Sequence, residues 1–151
     1  MVIGRRTFAC AAAVLFVAAA PGRAALGGDE TSIQADRIRL KGAVSTRQLP
    51  QFAVHDIAPP GGASVRQYVS PAGKVFAVAW QGPAMPDLRQ LLGPHFDRYV
   101  AAAKDKRVKR APVVIRESTL VLVSGGHPRA FSGRAYVPDL VPRDVDADAL
   151  P

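Results

Sequence analysis

Six successive residues, Val75 to Trp80 (VFAVAW), are all apolar. Neighbouring side chains on a strand point to opposite faces, so a strand apolar at every position must be covered on both sides. Read as the strand 74–81 (KVFAVAWQ), the run puts Val75, Ala77 and Ala79 on one face. Phe76, Val78 and Trp80 fall on the other, and Trp80 reads as core. Residues 65–70 alternate as a partner strand, joined to the run by Ser70-Pro71-Ala72-Gly73. Pro supplies the fixed φ of a type I turn and Gly the positive φ that closes a bulged hairpin. Gly82-Pro83 ends the second strand, and Pro86-Asp87 suits the first turn of a helix. Leu88, Leu91, Leu92, Phe96, Tyr99, Val100 and Ala103 then recur at three- and four-residue spacing, a stripe that must face a core. Gly93-Pro94 interrupts the stripe, which predicts a kink or two short helices, and the unshifted phase favours a kink.

The other segments are shorter. Residues 44–49 (VSTRQL) and 52–58 (FAVHDIA) read as one edge interrupted by Pro50 or as two strands. Residues 113–115, 119–123 and 129–137 are β-rich, with a turn expected over 124–128 (SGGHP). Residues 29–41 read as a short helix with acids at its start and Gly42 at its end, after a flexible leader at 25–28. The tail from Pro138 reads as irregular or a helical turn. The expected fold is α+β: an antiparallel sheet of five or six strands, one kinked helix packed on a face, and a short N-terminal helix.

The first 24 residues read differently. Arg5 and Arg6 precede the apolar run 7–20 (TFACAAAVLFVAAA), and small residues follow. This is the layout of a secretory signal peptide, and it falls short of the roughly 20 apolar residues of a membrane span. Gly22 and Ala24 occupy the small-residue positions of a cleavage site after Ala24. Residues 25–151 then form a single domain, with no transmembrane span in the mature chain. Arg5-Arg6-Thr7-Phe8 also suits twin-arginine export, and two arginines serve Sec export equally. The expected location is periplasmic or secreted. Cys10 is the only cysteine and lies in the apolar run, so the domain must hold by core burial with neither disulfide nor thiolate metal site.

The chain carries a formal charge of +8. Without Arg5, Arg6 and Arg23 the balance is 17 basic to 12 acidic residues, or +5. That excess favours anionic partners such as envelope polymers or lipid headgroups. A nucleic-acid binder would interleave basic and aromatic residues on one face, and none is expected as partner. The residues of catalysis are scattered. His55, His95 and His127 lie far apart with no second ligand beside them, so neither metal nor cofactor is expected. Ser124 and Ser132 lie outside any G-x-S-x-G turn. Asp87 and Asp97 suit dipole compensation and solvent-facing pairing better than glycoside cleavage. The binding feature the sequence offers is the basic run 104–110 (KDKRVKR), with Lys104, Lys106, Arg107, Lys109 and Arg110 as candidate contacts. The same run also fits a solvated helix C-terminus, where cations meet the helix dipole.

Residues 66–83 (RQYVSPAGKVFAVAWQGP), with Pro86-Asp87-Leu88 and Leu91-Leu92-Gly93 behind them, resemble the small secreted bacterial proteins of domain-of-unknown-function family 2844. The start 25–28 (ALGG), Phe96-Asp97-Arg98-Tyr99 and Gly133-Arg134-Ala135-Tyr136 fit the resemblance as well. It implies a signal-bearing envelope protein and brings no catalytic residue with it. The expected function is therefore a non-catalytic periplasmic or secreted protein that binds or assists another envelope component, such as an anionic polymer or a protein. The alternative is a small envelope hydrolase or polysaccharide-modifying enzyme. That reading requires at least two of His55, Asp56, His95, Asp97 and His127 to meet in one pocket.

Overall fold

The computed structural model describes residues 26–29, 38, 41–105 and 111–150. Seven strands build one sheet: β1 (Ala43–Gln48), β2 (Ala53–Ala58), β3 (Ser64–Val69), β4 (Val75–Gly82), β5 (Val113–Glu117), β6 (Leu120–His127) and β7 (Ala130–Tyr136). Their order is β1-β2-β3-β4-β7-β6-β5, and every neighbouring pair is antiparallel. One helical segment links β4 to β5: α1 (Leu88–Leu92), a 3-10 turn over Gly93–His95, and α2 (Phe96–Asp105).

The sheet has seven strands, where five or six were expected. Pro50 does not interrupt one edge strand. It sits in a tight turn in which the Leu49 N–H donates to the Phe52 carbonyl at 2.9 Å, so β1 and β2 form a hairpin. The expected turn at 124–128 also shrinks, because Ser124 to His127 stay in β6 and pair with β7. Gly126 permits this. It has φ +120, and a Cβ there would lie 2.2 Å from the Ala130 carbonyl oxygen. The reversal falls on Pro128 and Arg129, the latter at φ +72.

β4 is buried as its composition demands, with every residue from Val75 to Trp80 at most 8% exposed. Its alternation breaks once. Tyr68 pairs with Ala77 and Val69 with Val75, which leaves Phe76 as the extra residue of a bulge. Phe76 and Ala77 consequently join the same cluster, while Val75, Val78 and Trp80 join the other. The first cluster is the main core, where Leu88, Leu91 and Leu92 of α1 meet Val65, Val78, Trp80, Leu122 and Ala135, with Phe96 and Tyr99 packed beside them. The second lies on the opposite face. There Phe52, Tyr68 and Phe76 contact one another at centroid separations of 5.9–6.2 Å, and tail residues Leu140, Val141, Val145 and Leu150 pack against them. Helix and tail thus cover the two apolar faces of one strand.

The segment expected to be a flexible leader is docked. Leu26 is 1% exposed, its N–H donates to the Leu91 carbonyl, and Gly27 and Gly28 exchange backbone hydrogen bonds with Val75. Asp29 forms a β-bridge with Lys74 and pairs with its ammonium. The helix expected over 29–41 falls almost wholly outside the described residues, and Asp29, being bridged, does not open it. Lys41 lies in a turn at φ +49.

The helix break follows from Pro94, which cannot continue the hydrogen-bond ladder. Asp87 caps α1 by accepting from the Gln90 N–H at 3.1 Å. His95 is half-buried in the break, and burial, then the Arg98 charge, hold its pKa below the ordinary 6.5. The unfolded chain therefore takes up this proton first as the pH falls. Stability is full above the unfolded value of about 6.5 and declines from there down to the folded value. His95→Gln should flatten this part of a denaturation midpoint-versus-pH curve; an unchanged slope would assign the proton uptake elsewhere.

Trp80 and Gly133 face each other across β4 and β7. A Cβ on Gly133 would lie 2.3 Å from Trp80 Cζ2, so the indole occupies the space a side chain would take. Trp80→Ala should cost about 3–5 kcal/mol. Gly133→Ala should cost about 1–3 kcal/mol by overpacking, and markedly less when Trp80 is already Ala. Chemical denaturation of the two single variants and the double variant measures both; additive losses would show that the two residues do not compete for space.

Candidate functional site

The face of the sheet opposite the helix is only partly covered by the tail. Register determines what the uncovered part presents. Arg66 on β3 pairs with Ala79 on β4, and Ala79 pairs with Arg134 on β7. The two arginines therefore stand two strands apart, about 10 Å between backbones, with a methyl group between them. The next row on this face holds Ser64, Gln81, Ser132 and Gly125 in succession. Together these rows line a cleft of about 430 Å³, which Val123, Pro112 and the tail residue Leu150 close at its sides. Small residues make it concave: Ala79 and Gly125 offer little or no side chain where larger ones would fill the space.

Each arginine is anchored by a carboxylate. Arg66 Nε donates to Asp56 Oδ1 at 3.0 Å. The other oxygen of Asp56 accepts from Arg47 Nη2 at 2.8 Å and Nε at 3.2 Å. Arg134 Nη2 donates to Asp148 Oδ1 at 3.1 Å, and its Nη1 donates to the Asp148 carbonyl. Three guanidinium groups thus face two carboxylates; the excess charge sits on Arg47, outside the cleft lining, while Arg66 and Arg134 line the cleft with a carboxylate partner each. The arginine side chains remain 27% and 34% exposed, enough to meet a ligand. Two tyrosines record the same environment. Burial pushes the Tyr68 hydroxyl pKa up, opposed by its hydrogen bond with Arg66. Burial and then Asp148 push Tyr136 up. Trp80 also borders the cleft, and its buried indole N–H has no hydrogen-bond partner among the described residues.

The residues singled out in the sequence lie elsewhere. Lys104 is exposed in the last turn of α2, while Lys106, Arg107, Lys109 and Arg110 lie outside the described residues. His55 is buried on the helix side of β2 and bonds Thr46 Oγ1 through Nδ1 at 3.0 Å. Asp56, on the opposite face, joins the arginine cluster. His95 is in the helix break, Asp97 is exposed on α2, and His127 is exposed at the end of β6. The cleft is lined by none of His55, Asp56, His95, Asp97 and His127. A smaller pocket of about 290 Å³ beside the β1–β2 turn also lacks them, and of these residues one of about 210 Å³ between β1 and β2 holds Asp56 alone. Among the described residues no group of three or more His, Cys, Asp or Glu side chains gathers as metal ligands. Of the serines considered as nucleophiles, Ser124 is buried on the helix side and Ser132 lines the cleft.

Sequence reasoning missed Arg66 and Arg134. Their signal was the pattern Ser-x-Arg at 64–66 and again at 132–134, polar residues repeating every second position on a strand. Only the pairing of β4 with β7, across a connection of 47 residues from 83 to 129, brings the two patterns together.

No helix among the described residues is long and apolar enough to cross a membrane. Neither a curated protein nor a solved structure matches the chain. A family model described as "Protein of unknown function (DUF2844)" matches residues 22–150. With nearly the whole chain matched, sheet, helix and cleft included, this protein belongs to the DUF2844 family.

Proposed function

We propose that this protein is an exported, non-catalytic binding protein of the cell envelope and that the cleft over β3, β4, β7 and β6 is where it binds. The observation that carries this reading is the pair of partly exposed arginines, Arg66 and Arg134, on either side of Ala79. Paired guanidinium groups of fixed orientation suit carboxylates and phosphates, which they bind through parallel hydrogen bonds. The cleft sits at the small end of the ligand-site range of roughly 300–1,000 Å³. Its hydroxyl and amide groups orient a ligand. Among the described residues, no carboxylate or imidazole group lines it. The basic run 104–110 serves as a second, cationic contact for a large anionic partner.

Export rests on the N-terminal sequence and is supported by the docking of Leu26. Cleavage after Ala24 would keep Leu26, a buried side chain, in the mature chain. The chain recovered from the periplasm or medium should begin at Ala25; a cytoplasmic chain retaining Met1 would contradict export.

The cleft is tested by charge-matched variants on an anionic matrix such as dextran sulfate. Arg66→Gln/Arg134→Gln should elute at lower salt than Arg116→Gln/Arg143→Gln, which removes the same charge from exposed positions. Equal elution would make retention a matter of net charge and remove the cleft as the site.

A further inference from the structure

The cleft's remaining chemistry narrows the ligand. β3, β4, β7 and β6 are paired on both sides, so a peptide finds no free strand edge here to extend. A nucleic acid stacks on exposed aromatic rings, and among the described residues the one aromatic bordering the cleft, Trp80, is 2% exposed. An acyl chain needs an enclosed apolar channel, whereas this cleft opens along the sheet face and its lining includes Ser64, Gln81 and Ser132. Those three side chains lie in one cross-strand row beside the row of Arg66 and Arg134. Hydroxyl and amide groups both donate and accept, as recognition of sugar hydroxyls requires. The arginines take an acidic group, and Asp148 already places a carboxylate against Arg134 within the chain.

We infer that the cleft binds an acidic saccharide, its carboxylate or phosphate held between Arg66 and Arg134 and its ring hydroxyls met by Ser64, Gln81 and Ser132. This rests on the cleft being the binding site and adds the ligand class. A free acidic sugar and an acidic residue within a polysaccharide share this chemistry, and probes of different length separate them.

The test is isothermal titration of the full chain from Ala25 with trigalacturonate, its methyl ester, galacturonate and citrate. Trigalacturonate should bind, and masking its carboxylates should weaken binding about tenfold or more. A comparable affinity for galacturonate would point to the free sugar, and a much weaker one to the polymer; either supports the inference. Ser132→Ala/Gln81→Ala changes two exposed positions and should keep the fold. It should weaken trigalacturonate roughly fivefold or more and leave citrate unchanged. Citrate binding as tightly as trigalacturonate, or indifference to Ser132→Ala/Gln81→Ala, would overturn the saccharide assignment. In that case the cleft would still stand as an anion site if Arg66→Gln/Arg134→Gln abolished citrate binding. If no probe bound at all, both the saccharide assignment and the cleft itself would fall.

Discussion

The two-sided burial of β4 is the constraint on which the rest of the structure depends. Six apolar residues in a row cannot lie on a sheet that faces water. The chain answers with a helix over one face and a C-terminal tail over the other, and a bulge at Phe76 divides the strand's side chains between them. The bulge also explains the two unequal cores. Val75, Val78 and Trp80 are left to the helix, and Phe76 with Ala77 passes to the aromatic trio beneath the tail. Large-to-small changes in either set leave cavities, because interiors pack as densely as organic crystals.

The cleft follows from the same arrangement. The tail covers the apolar half of its face, Leu150 borders the cleft, and Asp148 anchors the tail to Arg134. What stays open is the half whose strands carry Ser, Arg and Gln at alternate positions. Asp148 engages both terminal nitrogens of Arg134 and Asp56 engages Nε of Arg66, so a ligand meets the N–H groups these bonds leave over. The carboxylates hold each guanidinium in one orientation, so less conformational entropy is lost when a ligand arrives. Asp56 serves two arginines at once, which leaves the cluster cationic even with every carboxylate engaged.

Much of this was legible from local pattern. The hairpin at Ser70 to Gly73, the helix start at Pro86-Asp87, the break at Pro94 and the burial of Trp80 each have a short-range cause, and each is found. The opposite orientation of His55 and Asp56 follows from strand geometry alone. The strand count was missed at Pro50, where a turn had to be chosen without its partner, and the same choice at Gly125-Gly126 cut β6 short. The bulge was missed because it depends on which residue of β3 meets Ala77. The cleft was missed for a larger reason. Arg66 and Arg134 are 68 positions apart, and nothing local says that β7 inserts between β4 and β6. The run 104–110 drew attention because its charges are adjacent in sequence, whereas the arginines of the cleft become adjacent only through pairing.

The most direct test of the cleft is a map of backbone amide shifts in solution as trigalacturonate is added. The perturbed amides should cluster on Ser64 to Arg66, Ala79 to Gln81, Val123 to Gly125 and Ser132 to Arg134, four strands contiguous only in the folded sheet. Perturbation confined to residues 104–110, with those strands silent, would place anion binding on the basic run and contradict the cleft.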